Sequence, residues 1–179
     1  MHPRIRELQD YYDAQRAVLR AAFERVPATL RDRPPAPDCW SAANIVEHLA
    51  IVEARLGGML ASRIAAARAE GLGAETSDRP ILPTIDLTRV LDRATRVTAP
   101  ETVRPTGLGA DAAWQALERA TDAVRGALRD GNGLALGSVT HPHPLFGPIN
   151  VYQWLASIAA HEARHAAQID EIAASAAVK

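Results

Sequence analysis

Cysteine is nearly absent: Cys39 is the only one among 179 residues. An internal disulfide and a thiolate-rich metal site are therefore excluded, so any metal here must sit on nitrogen and oxygen. A lone cysteine beside Trp40 and just ahead of a helix reads as a small packed side chain, not a nucleophile. An excess of either charge is also missing. The formal net charge is −1 and the basic residues are spread along the chain, which leaves no footprint for nucleic acid or an anionic membrane surface. No apolar run approaches the roughly 18 residues of a membrane span, and MHPRIRELQDYYDAQ carries charges where a signal peptide needs its apolar region. The expectation is a cytoplasmic protein with no nucleic-acid or membrane partner. Strand signals are scarce, the one alternating stretch lying near Leu134 to Val139, and no repeat of about 20 to 50 residues is visible.

What is present is helical periodicity. With 47% hydrophobic and 23% charged residues the composition is that of an ordinary globular chain, of a length that makes one domain over residues 1–179. Apolar residues recur at helical spacing through Ile5, Leu8, Tyr12, Leu19, Phe23 and Val26, until Pro34, Pro35 and Pro37 interrupt. A second stripe runs Ile45, His48, Leu49, Val52, Leu56, Met59 and Ile64, with Ser41 as N-cap and Gly71 and Gly73 as the stop. The stretch from Ala74 to Pro105 holds Pro80, Pro83, Pro100 and Pro105 around an apolar patch, Ile85 to Val97, of one or two helical turns. A third helix fits about Asp111 to Asp130, carrying Trp114, Leu117, Val124 and Leu128. LALGSVTHPHPLFGPIN reads as an extended loop because of its glycines and prolines. Asn150 and Gln153 then form a capping box for a last helix with the stripe Val151, Trp154, Ile158, His161, His165, Ile169 and Ile172. The expected fold is all-α, a four-helix bundle with a long connection between helices two and three, its sites built from side chains on facing helices.

The last helix contains HEARHAAQI, which fits the H-E-x-x-H pattern of zinc metalloproteases. Six histidines in 179 residues would give a pair four apart by accident about 0.2 times, so the spelling proves little. Position says more. His161 and His165 lie on the stripe that must face the core, and so does His48 on helix two. A buried imidazole without a partner costs about 1 to 3 kcal/mol, so each needs a hydrogen bond or a metal. Three such rings on two helices make a constellation suited to zinc, nickel, copper or iron. The metzincin continuation would need glycine and histidine where this chain has Gln168 and Glu171, so the third ligand comes from upstream, from His48.

Trp40-Ser41 followed by His48, with HPLFGPINVYQW leading into HEARHAAQI, resembles the DinB-like superfamily of bacterial four-helix metalloproteins over about Trp40 to Ile172. The resemblance implies a divalent metal on His48, His161 and His165, zinc or nickel first, with iron or manganese as further options, and positions left open for water or substrate. It also implies a homodimer and a small-molecule substrate. Relatives include S-transferases of low-molecular-weight thiols, a mycothiol-dependent isomerase and metal-dependent hydrolases, so hydrolase and thiol transferase both stand. The alternative is a helical bundle that binds a ligand or partner without catalysis and keeps structural histidines.

Three residues remain around that site. Glu162 lies about 100° around the helix from His161, either as general base beside the metal or as a solvated flank. His141 and His143, each ahead of a proline in the loop entering the last helix, are expected in a substrate pocket or as turn residues. Trp114 and Trp154 belong to the core, and Trp40 packs near the metal.

Overall fold

The computed structural model describes residues 1–95, 98–144 and 146–177. Its helices are α1 (Pro3–Arg25), α2 (Ala42–Ala69), the single turn α3 (Thr88–Leu91), α4 (Ala110–Asp130) and α5 (Val151–Ala177). The stripe of α1 is buried from Ile5 to Val26. α2 starts at its expected cap. Ser41 Oγ accepts from Asn44 N at 3.1 Å and Asn44 Oδ1 accepts from Ser41 N at 3.2 Å, which satisfies donors that the first helical turn would leave orphaned. α5 opens in the same way, Asn150 and Gln153 exchanging bonds of 2.9 and 3.0 Å. The apolar patch at Ile85 to Val97 forms only α3, and Val97 lies outside the described residues.

Core packing fixes the helix directions. One apolar cluster joins the first halves of α1 and α5 to the last halves of α2 and α4, and a second joins the remaining halves. So α1 runs parallel to α5, α2 runs parallel to α4, and these are the two most extensive helix pairings. Parallel neighbours cannot be joined by a tight turn. The 28 residues of α2 span about 42 Å at 1.5 Å per residue, and the chain must travel back along that length before α4 begins. The long connection, 70–109, is this return, and its course brings α3 onto α5.

The two clusters meet at a band of buried polar side chains. His48, Glu53, Thr121, Glu162 and His165 are all buried there, with Arg16 of α1 reaching in beside them. Trp114 and Trp154 are core residues as expected. Cys39 is not packed; it is exposed, in a turn where Cys39 N bonds Ala36 O at 3.2 Å and Asp38 takes φ +62°. Among the described residues no helix is long and apolar enough to cross a membrane.

The segment before α5 departs from the expected loop. It forms an antiparallel hairpin, β1 (Thr140–His143) with β2 (Gly147–Asn150), in which Pro142 stands opposite Pro148. Neither proline has an N–H to offer, but a two-stranded ribbon has only edge strands, where a missing donor is tolerated. That is why prolines which argue against a strand in the sequence do not prevent this one. The stretch Leu134 to Val139, read as alternating, instead holds a helical turn at Leu136–Ser138 and one isolated bridge from Leu134 to Ala74.

Candidate metal centre

α2 and α5 bring the three core histidines together. Among the described residues, His48, His161 and His165 are the group whose potential ligand atoms all lie within 4.8 Å of one another. The two residues of α5 are stacked by helical geometry, and His161 Nε2 and His165 Nε2 are 3.0 Å apart. The His48 ring lies 5.4 Å from that of His161 and 5.1 Å from that of His165, edge-on to both. Trp40 packs against the His48 ring at 5.0 Å.

Neighbouring oxygens decide which nitrogen each ring shows. His48 Nδ1–H donates to Val103 O at 2.7 Å, and His165 Nδ1–H donates to Gln168 Oε1 at 2.9 Å. Both acceptors lack a proton, so both rings are held as the tautomer whose bare Nε2 faces the centre, the arrangement that orients a metal-ligating imidazole. Two neutral imidazoles with bare Nε2 atoms, and a third, His161, whose Nε2 stands 3.0 Å from that of His165, form a donor set that fits a divalent cation. Sequence reasoning missed Val103 and Gln168 as partners. A backbone carbonyl has no sequence signature, but Gln168 stands three residues after His165, where a helix brings side chains together.

Burial sets the charge state. It pushes His161 well below its usual range, with His165 and His48 adding to the effect. It takes His165 down to about 3, with His48 next in weight and Gln168 opposing, and it lowers His48 against the pull of Val103 O. Unfolded histidine titrates near 6.5, so below that pH the unfolded chain takes up protons that the folded chain refuses. The stability these groups contribute is complete above about 6.5 and is lost as pH falls through each folded value, which for His165 is about 3. With a chelator present, the urea midpoint is expected to drop between pH 7.5 and 5.0, each of the three adding up to about 1.4 kcal/mol per pH unit. A midpoint that stays level over that range would mean the rings are not buried as neutral imidazoles.

The other expected residues take different places. Glu162 is neither a solvated flank nor gathered with the three histidines. It is 0% exposed, and Arg16 Nε donates to its two oxygens at 3.0 and 3.2 Å. Arg16 Nη2 also donates to Glu162 Oε1 and to Glu53 Oε2 at 2.8 Å. Tyr12 completes the cluster by donating to Glu53 Oε2 at 2.5 Å. A signal for this was present: Arg16 occupies the core-facing gap between Tyr12 and Leu19, and Glu53 lies beside Val52 on the stripe of α2.

His141 and His143 stand on β1, on the side facing Trp154. The His143 ring is held between Phe146 at 4.5 Å and Trp154 at 4.6 Å, and Arg89 lies over Phe146 at 5.8 Å. His143 is close enough for its charge to act on His161. His141 accepts Trp154 Nε1–H through its backbone oxygen at 3.2 Å, and its buried Nδ1 has no hydrogen-bond partner. A groove of about 520 Å³, lined in part by Arg63, Glu70 and Thr140, includes none of the three histidines in its lining. Donor geometry marks this site.

Fold and site together define a four-helix bundle with a three-histidine centre. The crystal structure of TT2238, a four-helix bundle protein, matches with a TM-score of 0.62 over 93% of this chain and 98% of its own, at 20% sequence identity, a likeness of fold. The DinB superfamily matches residues 11–169, and the chain belongs to it. No curated protein matches.

Proposed function

We propose that this protein binds one divalent metal ion through the Nε2 atoms of His48, His161 and His165 and acts as a metal-dependent hydrolase or low-molecular-weight-thiol S-transferase. One observation carries the metal reading: two of the three converging rings are fixed as Nδ1–H tautomers by Val103 O and Gln168 Oε1. Zinc and nickel suit such a donor set. A bound ion of this kind lowers the pKa of a ligated water to about 7 or holds a thiol as thiolate. The chain's own residues supply the rest. Val103 and Gln168 hold the ligands in orientation, Trp40 packs on His48, and His143, held between Phe146 and Trp154, lies near enough for its charge to act on His161.

Protein purified without a histidine tag is expected to carry close to one equivalent of metal by elemental analysis, and His48→Ala to lose it. A metal-free wild type, or a His48→Ala variant of equal occupancy, would sink the proposal. The second reading, a binding bundle without catalysis, draws on the 3.0 Å contact between His161 and His165, which as a hydrogen bond would satisfy both rings without metal. A metal-free wild type would select it.

A further inference from the structure

We infer that Glu47 is a positioning residue for His48, acting through the backbone of 102–108; this rests on the metal-binding reading above. Glu47 precedes His48 on α2 and is buried, so its carboxylate needs compensation that water cannot give. The long connection gives it. Oε1 accepts from Thr106 N at 2.7 Å and from Thr106 Oγ1 at 2.6 Å. Oε2 accepts from Gly107 N at 3.0 Å and from Leu108 N at 2.9 Å. Successive amides converge on one carboxylate because Gly107 takes φ +103°, a conformation other residues adopt only with strain.

This clamp lies next to the acceptor that orients the metal ligand. Val103 O, which takes the Nδ1–H of His48 at 2.7 Å, belongs to the same strip of backbone. Its other flank is tied down by Arg55 Nη1, which donates to Thr102 O at 2.8 Å. α2 therefore fastens 102–108 on both sides of Val103. Consecutive residues of one helix provide the ligand and the anchor of that ligand's hydrogen-bond partner. Whatever frees Val103 O frees the His48 ring to turn or to change tautomer, and partners of this kind are worth about 10- to 100-fold in metal affinity.

The test compares Thr106→Ala, Glu47→Gln and Glu47→Ala. Zinc ion alone is the probe, titrated in competition with a chromophoric chelator, and backbone amide exchange is followed alongside. The dissociation constant is expected to rise about 10- to 100-fold in Glu47→Ala. The rise should be smaller in Glu47→Gln, whose amide turns donors toward donors on one side, and smallest in Thr106→Ala, which loses one of the bonds. Exchange at 106–108 should accelerate while α1 and α5 keep their protection, which a general loss of stability would not produce. Released amides with unchanged zinc affinity would overturn the inference, as would unchanged exchange. If Glu47→Ala does not fold, the other two variants decide. If the wild type binds no zinc, the metal reading fails on its own, and positioning is read from histidine nitrogen shifts in the metal-free protein. His48 should then be the Nδ1–H tautomer in the wild type and a mixture in the Glu47 variants, and a tautomer unaffected by Glu47 would overturn the inference.

Discussion

Replacing Arg16 with methionine is expected to cost about 3 to 5 kcal/mol of folding stability, the range for breaking a buried ion pair by removing one partner. The side chains it serves are inside the protein: Glu162 is 0% and Glu53 1% exposed, against 13% for Arg16 itself. Without the guanidinium, two carboxyl groups and the Tyr12 hydroxyl face one another with no cation. One arginine does not neutralise two buried carboxylates, and burial followed by the Glu53 charge pushes Glu162 well above the ordinary carboxylate range against the pull of Arg16. A raised carboxyl contributes stability that is complete below the unfolded pKa of about 4.3 and is lost as pH rises through its folded value. That is opposite in sign to the histidines. Glu162→Gln keeps the shape and one acceptor for Arg16 but turns an amide N–H toward a guanidinium N–H, so its cost should be smaller than that of Arg16→Met, about 1 to 3 kcal/mol. Urea denaturation at pH 7 checks both variants. An Arg16→Met protein within about 1 kcal/mol of the wild type, or a Glu162→Gln protein as damaged as Arg16→Met, would show that the cluster is not the buried charge pairing described.

This cluster also marks how far the sequence could be read. The four long helices were legible because their signals are local: a stripe at helical spacing, Ser41 bonded to its own third neighbour, Asn150 to Gln153. The convergence of three histidines was legible for the same reason, since each falls on a stripe that has to be buried. Glu162 was not, because a charge off the core stripe reads as solvated until its partner is known, and Arg16 lies on α1, 146 residues away in the chain. The hairpin was hidden by its prolines, which pair with each other where no donor is required. The long connection was visible as a length of chain, but not its purpose. Only the parallel placement of α2 and α4 shows why it must run the length of the bundle, and only that course puts the carbonyl of Val103 against His48.

Metal should stabilise the fold through these three rings and through no other part of the chain. A ligand that binds the folded state alone adds RT ln(1 + [L]/Kd), about 4 kcal/mol at a free concentration a thousand times Kd. Unfolding exposes the centre and scatters its histidines, since His48 and the α5 pair are brought together by packing of α2 against α5. Metal-free protein titrated with zinc or nickel is therefore expected to unfold at steadily higher urea or temperature as free metal rises. His161→Ala should abolish that dependence, because His161 Nε2 stands 3.0 Å from His165 Nε2 and its loss leaves two donors where three converged. Histidines elsewhere supply the control. His2 lies at the start of α1, where its side chain accepts from Arg4 N at 3.4 Å, so His2→Ala should keep the full metal-dependent shift. If zinc stabilises His161→Ala as much as the wild type, the stabilising site lies elsewhere. If zinc stabilises neither, the rings are held by their own hydrogen bonds and the centre is structural.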